Sequence, residues 1–169
     1  MNTPLPALQS SMAHHRYTQF GGQVMSKEPH GTGILDKYPY AAKSDVVGRL
    51  VCLLDARSDE RGMELTIHPS RALCQGEIHE LAVTDDPQTG PNYVLDRVAY
   101  LAFFTVEQGG IVLVGDRVLV GEVELGTVVG FDLTHFPNHM NVVIGATDRK
   151  TGPELGLNLG DLVTFASSL

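Results

Sequence analysis

The chain has 169 residues, 43% of them apolar and 19% charged, and a formal net charge of −8. That size and balance give one folded domain with its own core and exclude a disordered chain. Lysine occurs only at Lys27, Lys37, Lys43 and Lys150 and no basic stripe exists, which argues against nucleic acid or an anionic membrane surface as partner.

Residues 1–45 come first and differ from the rest. Pro4, Pro6, Pro29 and Pro39 interrupt them, as do Gly21, Gly22, Gly31 and Gly33, and no periodic pattern holds. Yet Tyr17, Phe20, Val24, Met25, Ile34, Leu35, Tyr38 and Tyr40 are more large apolar groups than a solvated tail carries. The segment reads as an extended arm on the domain or on a neighbouring subunit. If the arm crosses, His14, His15 and Arg16 would cap the neighbour's pocket. The first residues show neither the basic region nor the apolar core of a secretory signal. No run approaches the ~20 apolar residues of a membrane helix. A cytoplasmic location is expected. Cys52 and Cys74 form no CxxC pair and sit beside apolar residues, so they read as buried thiols in a reducing compartment, with a disulfide between them or a reactive thiol as the alternatives.

From Val46 to Leu169 strand signals repeat. "VVGRLVCLL" (46–54) is β-branched-rich, "MELTIHP" (63–69) alternates, and "GEIHELAVT" (76–84) is weaker. "YVLDRVAYLAFFTV" (93–106), "GGIVLV" (109–114), "RVLVGEVELGTVVGF" (117–131), "HMNVVIGA" (139–146) and "LVTFA" (162–166) follow. Turns such as "SDERG" and "DDPQTGPN" separate them. One short helix is expected over 68–76, with Pro69 at its first position and Gly76 past its end. The fold class is mainly β: a single small antiparallel β-barrel (46–169) with an extended N-terminal arm (1–45) and at most one or two short helices.

Three groups of residues could carry chemistry. On a continuous strand over 117–131, Glu122 and Glu124 share a face roughly 7 Å apart. They form either an acid/base or metal-binding pair or a solvent-facing stripe. The connection "FDLTHFPNHMNVVIGA" (131–146) gathers Asp132, His135, His139 and Asn141. Pro137 forbids a continuous helix there, and loops this polar between rigid strands are where sites lie. The same side chains could simply hold the turn. If the chain takes a divalent metal, Asp132, His135 and His139 are its ligands, with His68 or Glu124 able to complete the set. Arg97 lies on an apolar face and needs a partner: a strand glutamate, or a substrate carboxylate or phosphate held by its planar fork.

The segments "THFPNHMNVVIGA" and "LGLNLGDLVTF", within residues 130–165, resemble the ending of the CTP-dependent riboflavin kinases. The resemblance implies a cradle-loop barrel, six-stranded in that family. The family's glycine-rich, tyrosine-containing phosphate loop has no counterpart in "VVGRLVCLLDARSDERGMELT". Only Asn141 is similar to its Gly-Thr-Leu-Asn metal and nucleotide turn. The resemblance thus implies a barrel and a small-molecule site rather than kinase activity.

Together these features predict a homo-oligomeric enzyme of the proton-transfer type (lyase, isomerase or cyclase) acting on a small polar, anionic metabolite at the mouth of the barrel. His135 or His139 would be the acid/base, since imidazole titrates near working pH. Glu122 and Glu124 would assist, and Arg97, Asn141 and His68 would bind substrate. The alternative is a non-catalytic ligand-binding or assembly barrel that uses the polar turn for structure.

Overall fold

Alternating apolar side chains build most of what the computed structural model describes, which is Pro29 and residues 39–169. The strands are β1 (Val46–Ser58), β2 (Met63–Glu64), β3 (Ser70–Leu73), β4 (Ile78–Thr84), β5 (Val94–Leu95) and β6 (Val98–Gln108). They continue with β7 (Gly110–Leu113), β8 (Arg117–Val120), β9 (Val123–Asp132), β10 (Asn141–Gly145) and β11 (Leu162–Ala166). A single 3-10 turn, Pro153–Leu155, is the only helical element among the described residues. Seven strands form a closed barrel in the order β1, β11, β8, β9, β10, β4, β6 and back to β1. Two ribbons, β2 with β5 and β3 with β7, lie outside the ring.

The barrel is mainly β, as the strand signals predict, but it is not wholly antiparallel. The β10/β4 junction is parallel and the others are antiparallel. An odd ring requires this, because strand direction must return to itself after one circuit.

Side-chain alternation divides the apolar residues between two cores. Leu81, Val83, Phe104, Phe131, Val142, Ile144 and Phe165 belong to the cluster that fills the ring. Ala82, Val98 and Val143, on the other face of the wall, pack with Met63, Leu65 and Leu95 of the β2–β5 ribbon region. β4 and β10 are therefore covered on both sides, which explains their near-continuous apolar runs. Burying Met63, Leu65 and Leu95, all almost wholly sheltered, stabilises the ribbon by about 1.5–3 kcal/mol for each side chain.

Several local expectations change. Residues 68–76 form no helix, because Ser70–Leu73 pair with Gly110–Leu113 and the ladder outweighs the capping signals. The run 117–131 is not one strand. Gly121, at φ 59°, turns it into the β8–β9 hairpin. The run 93–106 breaks between β5 and β6, and only two residues of 63–69 are strand. Cys52 and Cys74 are free but exposed, not buried. Cys52 faces outward beside a β1 bulge, and Cys74 lies in the turn after β3.

Residues 1–28 and 30–38 of the expected arm, with His14, His15 and Arg16, lie outside the described residues. Its last part, residues 39–45, rests on the barrel. Tyr40 donates its hydroxyl to Ser70 Oγ at 2.7 Å, and Asp45 Oδ1 accepts the Ser167 N–H. Lys43 Nζ lies 2.9 Å from Asp116 Oδ2, with side chains 7% and 0% exposed. Asp116 Oδ2 also accepts the Leu113 N–H. Burial pushes the Asp116 carboxyl up, against the pull of that N–H and of Lys43.

Two outcomes follow from this packing. Gly126, at φ 147°, sits where an added Cβ would lie 2.2 Å from the Gly145 carbonyl oxygen. Gly126→Ala should lower stability by about 2–4 kcal/mol, read as a lower urea midpoint. Lys43→Met leaves a buried carboxylate unpaired and should cost about 3–5 kcal/mol above neutral pH. The loss should shrink in acid, where Asp116 takes up a proton. A loss independent of pH would refute the buried-pair account.

Candidate functional site

Strand register fixes the neighbours of Glu80. This glutamate pairs with Asn141 across the parallel junction and with Phe103 on β6. Asn141 pairs in turn with Asp132 at the end of β9. Paired residues share a face, and Phe131 and Val142, adjacent to Asp132 and Asn141, belong to the interior cluster. Phe103, Glu80, Asn141 and Asp132 therefore form one row on the outer wall.

Residues 133–140 join β9 to β10 and fold back over this row. Thr134 donates its N–H and its hydroxyl to Asp132 Oδ1 at 3.0 and 2.6 Å. Turn bonds run from Phe136 N–H to the Leu133 carbonyl and from Asn138 N–H to the His135 carbonyl. They deliver His139 beside Glu80, with its ring edge-on to Phe103 (centroids 5.0 Å) and stacked on His135 (4.8 Å). Asn138 Nδ2 lies 3.1 Å from His139 Nδ1. An amide NH2 can only donate, so the neutral ring carries its proton on Nε2. That Nε2 lies 3.7 Å from Glu80 Oε2, beyond hydrogen-bond range.

The neighbouring elements supply the rest. Asn141 Nδ2 donates to Asp132 Oδ2 at 3.0 Å. Because a carboxylate only accepts, this bond fixes the amide and leaves Oδ1 as its free end. Arg61, between β1 and β2, donates Nε–H to the Tyr100 hydroxyl at 2.7 Å. Its Nη2 is 3.8 Å from Asp132 Oδ2, an ion pair without a hydrogen bond. His79 accepts the Met140 N–H on Nδ1 and faces Glu77 Oε2 with Nε2, each at 3.3 Å. Glu80 Oε1, His139 Nε2 and Asn141 Oδ1 are buried and have no hydrogen-bond partner. Each such group costs about 1–3 kcal/mol.

Burial pushes the Glu80 carboxyl up to about 7, Asp132 adds to the rise, and Arg61 opposes it. His139 moves the other way: burial holds its imidazole below the ordinary value, helped by His135 and His79. Glu80 is thus an acid half-ionised near neutrality, and His139 stands beside it as a neutral N–H donor.

Of the residues singled out in the sequence, the fold brings together His135, His139, Asn141 and Asp132. It separates the others. Glu122 lies exposed in the β8–β9 turn, not on a strand face with Glu124. Glu124 is paired with Arg117 at 2.7 Å and stands eight residues along β9 from Asp132, roughly 25 Å at the rise of a strand. Arg97 is exposed and held by Asp85 at 2.6 Å, not by a strand glutamate. His68 is half-buried with Nδ1 unpaired, and no hydrogen bond or ion pair ties it to the row among the described residues. Asp132, His135 and His139 are not gathered as a ligand set, and no group of three His, Cys, Asp or Glu among the described residues is placed to hold a metal. Asp132 turns both oxygens to Thr134 and Asn141 instead.

Glu80, Arg61, Tyr100 and His79 are the additions that sequence reasoning missed. The one faint signal was a glutamate inside the strand-like "HELAV". At the opposite end of β9 and β10 lies an open groove of about 890 Å³, lined by Asp85, Asp86, Val123, Glu124, Asp148 and Lys150 among others. Its carboxylates are largely paired: Asp85 with Arg97, Glu124 with Arg117, and Asp148 with Lys150. No helix among the described residues is long and apolar enough to cross a membrane.

The raised Glu80 value gives a signed expectation. A carboxyl whose pKa rises on folding binds its proton more tightly in the native state, so stability falls as pH climbs through the window. Here the window runs from the ordinary 4.5 to about 7, a span of about 2.5 pH units worth about 3 kcal/mol. Glu80→Gln removes this titration. Its stability relative to the parent chain should improve by up to about 3 kcal/mol between those limits in urea unfolding. Parallel pH profiles for the two proteins would show that Glu80 is not perturbed.

No curated protein and no solved structure matches the chain. A family model does match, over residues 40–166, which takes in the barrel and the whole of the Glu80 row. The chain belongs to DUF6917, a family of unknown function.

Proposed function

We propose that the chain is a small-molecule enzyme of the proton-transfer type, a lyase, isomerase or cyclase, working at the Glu80–His139 cluster on the outer wall of the barrel. One observation carries the reading. Three buried polar atoms have no partners, on Glu80 and Asn141, which pair in register, and on His139, 3.7 Å from Glu80, and a bound ligand would satisfy them. Structural networks are normally completed, whereas sites keep such groups open for what they bind. Glu80 is the acid/base. His139 presents Nε2–H to the reacting oxygen, Arg61 draws in negative charge, and Asp132 with Asn141 positions the row. The resemblance of residues 130–165 to cradle-loop barrels supports a small-molecule site in this loop.

Proton transfer at carbon can be watched directly. In deuterated buffer the parent chain should exchange a C–H proton of a small polar substrate, followed by proton NMR over a panel of hydroxy, oxo and amino acids. Glu80→Gln, nearly isosteric, should slow that exchange by about 10²-fold or more. Exchange undiminished in Glu80→Gln would remove Glu80 from the role. Glu80-dependent binding without exchange would favour the alternative, a non-catalytic ligand-binding barrel, which the closing of residues 133–140 over the row also suits.

A further inference from the structure

The groups around Glu80 with hydrogen-bonding capacity left over differ in sense, and that difference describes what they would hold. This inference rests on the reading of the cluster as a ligand site. Two of the groups donate. Arg61 is fixed through Nε by Tyr100, and its terminal nitrogens make no hydrogen bond among the described residues; the nearer lies 3.8 Å from Asp132. His139 carries its proton on Nε2, because Asn138 occupies Nδ1, and that Nε2 is buried without an acceptor. One group accepts. Asn141 is 1% exposed and has its NH2 tied to Asp132, so Oδ1 remains as a buried acceptor without a donor. Glu80, itself 7% exposed with Oε1 unpaired, is in register between Asn141 and Phe103.

A guanidinium and an imidazole N–H suit a carboxylate, which accepts from both and matches the fork of arginine. An amide oxygen beside them suits a hydroxyl, which must donate. The charge on Asp132 lies 3.8 Å from Arg61, so a ligand carboxylate would share that cation with it and bind best when Glu80 carries its proton. We infer that the ligand of this cluster is a small hydroxycarboxylate, its carboxylate on Arg61 and His139, its hydroxyl on Asn141 Oδ1, and Glu80 facing the carbon between them.

The test compares glycolate, lactate and malate with their deoxy counterparts acetate, propionate and succinate, by thermal shift and calorimetry on the full chain. At least one hydroxy acid should stabilise the protein and bind at least about tenfold more tightly than its deoxy partner, because the loss of a hydroxyl leaves a buried acceptor unpaired. Arg61→Gln should weaken the hydroxy and deoxy acids alike by at least about tenfold, and Glu80→Gln should keep the fold. Equal affinity for a hydroxy acid and its deoxy partner overturns the assignment of Asn141. If these acids fail to bind while another small polar compound binds in a Glu80-dependent way, the hydroxycarboxylate is wrong and the site reading survives. If no compound binds in a Glu80-dependent way, both fall.

Discussion

Seven strands cannot close into a ring with every neighbour antiparallel, and the junction that runs parallel is the one between β4 and β10. Parallel strands start from the same end. The start of β4, with Glu77 just before it and His79 among its first residues, therefore meets the loop that enters β10, with His135 and His139. An antiparallel pairing would have put these two entrances at opposite ends of the wall. Three contacts around Glu80 depend on this meeting: His79 with the Met140 N–H, His139 beside Glu80, and Asn141 opposite Glu80.

The cluster is also a place where the fold gives up stability. A carboxyl held near neutrality by burial, a buried imidazole N–H and a buried amide oxygen each oppose folding. The opposing term is close at hand. The same strands send Leu81, Val83, Val142 and Ile144 into the ring and Ala82 and Val143 under the β2–β5 ribbon. Two apolar cores thus grip the strands whose first residues hold the polar row, and that rigidity keeps unpaired groups in place.

Much of the scaffold was legible in the sequence because local alternation writes it. The strand runs, the polar connection at 131–146 and the gathering of His135, His139 and Asn141 there could be read directly. What misled was local pattern continuing through a reversal. "RVLVGEVELG" alternates without a break, so the hairpin at Gly121–Glu122 looked like strand, and Glu122 with Glu124 looked like a pair. Pro69 and Gly76 bracket 68–76 as they would a helix, yet a partner strand some forty residues on takes the segment into a ladder. Glu80 and Arg61 could not be found by spacing at all. Asn141 stands 61 positions beyond Glu80 in the chain, and only non-local pairing brings them together. Arg61 sat in a turn that read as punctuation.

The buried contact between Lys43 and Asp116 bears on where this folding unit begins. Lys43 precedes β1 by three positions, yet the acid it neutralises sits in the tight turn between β7 and β8, wholly hidden from water. Cutting the chain at Val46, where β1 starts, would strand a charge in the interior. The autonomous unit must instead reach back through Tyr40, the residue at which the family match also begins. Dissection of this protein into independently folding pieces should respect that earlier border.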